Sequence, residues 1–368
     1  MKSEIKTAII LGIVIVVGLG ITSITLSTLD EKSDTVQISS TKSISKIDKV
    51  GFKKAPDLVG IAYYLNTTPE ELKKEMKDKV ILYDFWTYSC INCIRTLPYV
   101  TAWDDKYSKQ GLLVIGIHSP EFEFEKDPKN VKMAIEKNGI KYPVVMDNDM
   151  KTWKAFENRY WPRKYIADHE GYIRYDHIGE GGYQETEKII QQLLEERAIS
   201  LGIQQTSDTS LVKMKEFEHT IFRTPELYFG YNFVQNRNQL GSGEGFQPEK
   251  TVTYSEPNKI ELHKFYLIGE WKNNKDSMEL TSENGSIKLR YNAKEVNIVT
   301  EKNAELEIFL DGEPLSSKYA GKDITFENKM TVSEARLYNI IHSETSSSHM
   351  MEIKISGKGF QIFTLTFG

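Results

Sequence analysis

Cysteine is nearly absent from this chain. Two occur in 368 residues, at positions 90 and 93, which excludes a scaffold stapled by disulfides. A pair three positions apart also joins no distant segments, so it calls for another explanation. There is no second Cys-x-x-Cys, and the histidines at 118, 169, 177, 219, 263, 342 and 349 form no His-x3–5-His pair. Neither usual half of a zinc motif is completed in sequence, and only a Cys2His2 site assembled in three dimensions stays open. An excess of positive charge is missing too. Lys and Arg number 47 against 52 Asp and Glu, a net −5, which gives no reason to expect nucleic-acid binding.

Charge of either sign is absent from Thr7 to Leu29. About 20 apolar residues suffice to cross a bilayer. A cleaved signal peptide has a shorter apolar region and an Ala-x-Ala-like end, and neither is seen. Residues 1–29 therefore read as an uncleaved membrane anchor, with a cleaved signal peptide as the rival, and either reading exports the chain. Lys2 and Lys6 precede the span, which puts the short N-terminus in the cytoplasm and the remainder outside. The Ser-, Thr-, Lys- and Asp-rich residues 30–51 read as a flexible stalk.

The rest is too long for one core and suggests two domains. Over residues 52–197, "VILYDFW", "LLVIGIHS" and "YPVVMD" are strand-like and alternate with helical "INCIRTLPYVTAWDDKYSKQ", "PKNVKMAIEKNG" and "MKTWKAFEN". A hairpin across "DHEG" and the amphipathic "TEKIIQQLLEER" close an α/β domain with a mixed sheet. Residues 198–250 read as a connector, although "TPELYFGYNF" is too aromatic for a spacer. Residues 251–368 hold short period-two runs, among them "KFYLIGEW", "SIKLRY", "EVNIV", "ARLYNII", "MEIKIS" and "FQIFTLTF". These predict an antiparallel, jelly-roll-like β-sandwich. Trp271, Tyr266, Tyr291 and Tyr338 would be either its core or a platform for sugar rings.

Cys90-Ile-Asn-Cys93 falls between a strand and the start of a helix. That spacing lets two thiols close a small-ring disulfide with little backbone change. The helix N-terminus favours a thiolate at Cys90, and Cys93, one turn further in, can resolve a mixed disulfide. The constellation is that of a thiol–disulfide exchange centre. Thr87 gives the Thr-x-x-Cys half of a peroxiredoxin signature, but Tyr83 stands where its proline should be.

"ILYDFWTYSCINCIRTLP" resembles the thioredoxin superfamily, with Asp84, Phe85 and Trp86 ending the strand and Pro98 inside the helix. "GIHSPEFEFEK", "YPVVMDND", "YWPRKYIADHEGYIR" and "HIGEGGYQETE" are similar to the extracytoplasmic thioredoxin domain of DipZ-type proteins, a group close to the TlpA-like reductases. "TPELYFGY", "LIGEW" and "FTLTFG" resemble that family's C-terminal carbohydrate-binding-module-like domain. The resemblance runs from about Ala55 to the end.

It implies Cys90 as nucleophile and Cys93 as resolving thiol. It implies Pro162 as a cis-proline holding the Trp161 backbone for an incoming peptide, and Asp84 as a buried carboxylate that moves the Cys93 proton. The plainer reading of Asp84 is a polar residue at a strand end. Glu121 matches an active-site glutamate, unless "EFEFEK" is simply a solvated face. His118 reads as completing its strand end through a hydrogen bond, and Trp86 as packing beneath the helix. Ser89 stands where many thioredoxins have Trp, which alters partner contacts.

No cofactor is implied beyond the redox-active Cys90–Cys93 disulfide. DipZ-type proteins carry a polytopic membrane domain and this chain has at most one span, so a separate redox partner is expected. The function expected is membrane-anchored, extracytoplasmic thiol–disulfide exchange with protein substrates. The rival is a surface-anchored glycan- or partner-binding protein whose thioredoxin domain is a scaffold.

Overall fold

Strand and helix alternate from Tyr63 to Ser200 in the computed structural model, which describes residues 49–204, 209–218, 223–234 and 237–368. The anchor read at 1–29 and nearly all of the stalk lie outside the described residues. Among the described residues, no helix is long and apolar enough to cross a membrane. Residues Val50–Gly368 form one compact unit.

The elements are β1 (Tyr63–Leu65), α1 (Pro69–Glu75), β2 (Val80–Trp86), α2 (Ile91–Tyr107), β3 (Leu112–His118), α3 (Pro128–Lys137), β4 (Val144–Met146), α4 (Lys151–Ala155), β5 (Arg163–Ala167), β6 (Ile173–Ile178) and α5 (Tyr183–Ser200). The first strand and helix add to the sequence reading. The signal for α1 is a Thr-x-x-Glu capping box, in which Thr68 and Glu71 exchange hydrogen bonds and Pro69 opens the helix.

Six strands form a sheet in the order β1-β4-β3-β2-β5-β6. Strands β2, β3 and β4 run parallel, while β5 is antiparallel to β2 and β6 antiparallel to β5. Successive residues of a strand face opposite sides, and β2 is buried on both. Ile81, Tyr83 and Phe85 enter one core with Trp153 and Phe156. Val80, Leu82 and Trp86 enter the other, beneath the α2 face of Cys93, Leu97, Val100, Trp103 and Tyr107. The same alternation puts Asp84 on the Cys93 side. Gly116 leaves room there, because a Cβ would stand 3.0 Å from the Trp86 indole nitrogen.

The β-rich remainder comprises β7 (Leu227–Tyr228), β8 (Thr251–Tyr254), β9 (Phe265–Asn273), β10 (Met278–Leu280), β11 (Asn284–Glu301), β12 (Ala304–Leu310), β13 (Glu313–Pro314), β14 (Lys329–Val332), β15 (Arg336–Ser356) and β16 (Gln361–Phe367). "SIKLRY" and "EVNIV" belong to the one strand β11, and "ARLYNII" and "MEIKIS" to β15, which corrects the reading of them as separate strands. The polar residues between them stay extended because they pair with each other, Asn292 with Ser348 and Ala293 with Ser347, and the ladder slips in register just after. Strands β9, β10, β16 and β11 close a circuit of hydrogen-bonded neighbours around one core. Tyr266, Trp271, Tyr291 and Tyr338 are all buried. They are interior residues, which overturns their use as a sugar platform.

The two regions meet beside α2. Phe122 and Phe124 pack on Phe363 of β16 with ring centroids 5.1 and 4.7 Å apart, in a cluster that includes Ile91 and Ile94. The Tyr88 hydroxyl donates to the Ala335 carbonyl at 3.0 Å. Arg95 donates to Glu295 at 2.7 Å.

Candidate active site

Strand β2 ends at Trp86, and a tight turn delivers Cys90 as the N-cap of α2 in extended backbone conformation. Its Sγ accepts the backbone N–H of Cys93 at 3.3 Å, so the sulfur stands where a negative charge meets the free N–H groups of a helix start. Cys90 is half-buried and Cys93 buried, and both are free thiols. Burial, together with the hydrogen bond and charge of Cys90 and more weakly the charge of Asp84, pushes the Cys93 thiol well above its ordinary value. One thiol thus faces the surface and the other keeps its proton inside.

Asp84 lies behind them, 1% exposed. Burial pushes its carboxyl up to about 6, and the charge of Lys164 opposes that rise. Lys164 stands opposite Asp84 in the β2–β5 ladder. It is fully buried, and its amine donates to the Gly179 carbonyl at 3.3 Å. Burial holds its pKa below the ordinary lysine range, against the pull of Asp84, Cys93 and Glu180. Asp84 is thus a buried carboxyl raised to about 6 whose charge bears on the Cys93 thiol.

The Trp161–Pro162 peptide is cis. Trp161 stacks at a tilt on Trp153 with centroids 4.2 Å apart, and its indole N–H donates to the Ser119 carbonyl at 3.0 Å. His118 ends β3 as a neutral ring, held at about 3 by burial. Its Nε2 lies 3.4 Å from the Thr87 hydroxyl, and the ring stacks on Tyr88.

Ser89 borders the Cys90 cleft but is only 2% exposed. Its hydroxyl donates to Glu125 Oε1 at 2.5 Å. This corrects its expected role in contacting partners, because the side chain is taken up by a buried carboxylate. Glu125 also accepts the backbone N–H groups of Glu121 at 2.6 Å and Phe122 at 3.0 Å. The "EFEFEK" run is not a solvated face, since Phe122 and Glu125 are buried within it.

Glu121 turns toward the β-rich region. The Tyr228 hydroxyl oxygen lies 2.8 Å from Glu121 Oε1 and 2.9 Å from Glu226 Oε2. Burial and the charges of Glu226 and Glu125 push the Glu121 carboxyl well above its ordinary value. Cys90, Asn92, Glu121 and Trp161 face Glu226 and Tyr228 across a cleft of about 170 Å³.

Lys164, Glu125, Glu226 and Tyr228 escaped the sequence reading. Lys164 carried a local signal, an inward strand position two residues after Pro162 that alternates with Tyr165. The aromatic density of "TPELYFGYNF" was visible, but its partner across the junction was not. Among the described residues, no cluster of three or more His, Cys, Asp or Glu could hold a metal ion.

Residues 50–194 match the Redoxin family, and residues 224–368 match the family described as thioredoxin like C-terminal domain. Over 317 residues the chain is 35% identical to Protein DipZ of Mycobacterium tuberculosis, which covers 85% of this chain and 43% of that protein. The chain thus spans less than half the length of that relative. Over 143 residues it is 34% identical to thiol-disulfide oxidoreductase YkuV of Bacillus subtilis, covering 38% of this chain and 94% of YkuV. Among solved structures, a thioredoxin-like protein in the oxidized form aligns at 33% identity and TM-score 0.36, over 39% of this chain and 97% of that one.

Proposed function

Because this chain belongs to the thioredoxin-like thiol–disulfide oxidoreductases, we propose that it exchanges disulfides with protein substrates through Cys90 and Cys93. The observation that carries this reading is the inequality of the two thiols, one half-buried at a helix start and the other buried with its proton held. In the reducing direction, the Cys90 thiolate attacks a substrate disulfide and expels one substrate sulfur as a thiolate. Asp84 accepts the Cys93 proton, and the Cys93 thiolate attacks Cys90 Sγ and expels the second substrate sulfur. The substrate gains two electrons and, from Asp84 and solvent, two protons, while the pair becomes a disulfide. The oxidising direction runs the same bonds backwards, and no further cofactor is invoked.

The test is insulin reduction by the full chain with a dithiol reductant. Cys90→Ser abolishes turnover, and Cys93→Ser freezes mixed disulfides on Cys90. Turnover that survives Cys90→Ser sinks the mechanism.

One turnover consumes the dithiol, so a separate membrane or extracytoplasmic redox partner must restore it. The uncharged run Thr7–Leu29 supports a single-span anchor with the catalytic part outside the cytoplasm. Labelling of Cys90 on intact cells by a membrane-impermeant thiol reagent checks that placement, and protection until lysis refutes it. We read the β-rich region as a jelly-roll-like, carbohydrate-binding-module-like domain, whose glycan ligand a glycan array would identify or exclude.

A further inference from the structure

Tyr228 is 7% exposed, and its hydroxyl has one proton and two carboxyl neighbours. A phenol donates a single hydrogen bond. Of the contacts at 2.8 Å to Glu121 and 2.9 Å to Glu226, only one can be a phenol O–H donating to a carboxylate. The other contact is a hydrogen bond only if its carboxyl carries a proton and donates it to the phenol oxygen. The geometry therefore requires one protonated carboxyl in the trio.

The surrounding groups do not remove that requirement. Glu125 adds negative charge near Glu121. Arg237 lies over the Tyr228 ring at 4.6 Å and its charge lowers both carboxyls, while the charge of Arg223 lowers that of Glu226. Thr364 Oγ1 reaches Glu226 at its other oxygen, at 3.5 Å. Glu226 is exposed as a residue, and its carboxyl reaches the Tyr228 hydroxyl.

Acidity alone would not make this a site. The second, independent observation is position, because all three residues border the same narrow cleft as Cys90 and Trp161. A substrate sulfur expelled from Cys90 emerges into that cleft.

Resting on the exchange reading above, we propose that the Glu121–Tyr228–Glu226 trio is a general acid, built from both regions, that protonates the substrate sulfur expelled by Cys90. The Cys90 thiolate forms its bond to one substrate sulfur as the substrate S–S bond breaks. The departing thiolate takes the carboxyl proton and leaves as a thiol, and the trio regains its proton from solvent. No outside oxidant or reductant is needed for this half-reaction, since the electrons come from the Cys90 thiolate.

The test compares two neutral probes in single-turnover reaction with the reduced full chain. Hydroxyethyl disulfide releases a basic alkyl thiolate that needs a proton, whereas dithiodipyridine releases a thiolate stable without one. In Glu226→Gln and in Tyr228→Phe, which keeps the buried ring, the ratio of the alkyl to the aryl rate constant falls by about a hundredfold, the lower range for a positioned general acid. An unchanged or increased ratio in the variants overturns the assignment, since a merely structural role slows both probes together. Wild-type chain inert to both probes overturns the exchange reading itself, and this proposal with it.

Discussion

Two acids, Asp84 buried and Glu121 half-buried, flank the dithiol, and they differ in what faces them. Asp84 lies beneath Cys93 with Lys164 opposite in the ladder. Glu121 lies beside Cys90 with Glu226 opposite, across the Tyr228 hydroxyl. Desolvation raises both carboxyls, because burial penalises the charged form. The partner then decides the outcome. A cation holds the rise of Asp84 to about 6, so at neutral pH this acid is ionised and able to accept a proton. A second acid adds to the rise that desolvation gives Glu121, and the Tyr228 hydroxyl between the two carboxyls can bond both only if one of them carries a proton. The contrast also lies in construction, since Asp84 and Lys164 belong to one sheet and the Glu121–Tyr228–Glu226 group spans both regions.

The sharpest way to probe the accepting side is Asp84→Asn. In the wild type, resolution of a mixed disulfide on Cys90 accelerates as pH rises through about 6, where Asp84 loses its proton, and levels above it. The variant loses that limb and is slower by about a hundredfold at neutral pH, the low end of positioned proton transfer. Stopped-flow release of a labelled peptide from the mixed disulfide reads this directly, and a limb that persists in the variant assigns it to another group.

A substitution at the junction should separate the two sides. Phe363→Ala removes the ring wedged between Phe122 and Phe124, at a cost of about 3 kcal/mol in a urea unfolding curve. With the wall across from Cys90 loosened, the alkyl-to-aryl rate ratio falls, while the limb at about 6 stays in place because Asp84 and Lys164 are untouched. Movement of both readouts together would mean that the two acids are not independent. The smallest effect belongs to Lys164→Met. The midpoint of the same limb moves upward from about 6, since the lysine charge holds Asp84 down, and an unmoved midpoint removes Lys164 from the account.

How much of this was legible in sequence follows the same division. The α/β region announced itself because its determinants are local. Strongly apolar strands such as "LLVIGI" and helical runs such as "PKNVKMAIEKNG" need no distant partner to be recognised. Cys90 and Cys93 were legible for the same reason. Strands β11 and β15 were not, because the polar "HSETSSSH" stays extended only through pairing with Asn292 and its neighbours. Lys164 could be placed on its strand, but that its amine sits opposite Asp84 depends on register between strands 80 residues apart in sequence. Tyr228 is more than 100 residues from Glu121, and nothing in either neighbourhood names the other. Ser89 misled for a related reason, since its hydroxyl is claimed by Glu125, which the run "EFEFEK" disguised as surface.

The cleft beside Cys90 has one more consequence. Its volume of about 170 Å³ corresponds to about six waters of bulk liquid and falls short of the 300 Å³ or so at which drug-sized ligand pockets begin. The contacts of Tyr88 with Ala335 and of Phe122 with Phe363 join the two regions that line it. Residues of the β-rich region thus help to line the small space beside Cys90, so the two regions together shape its surroundings.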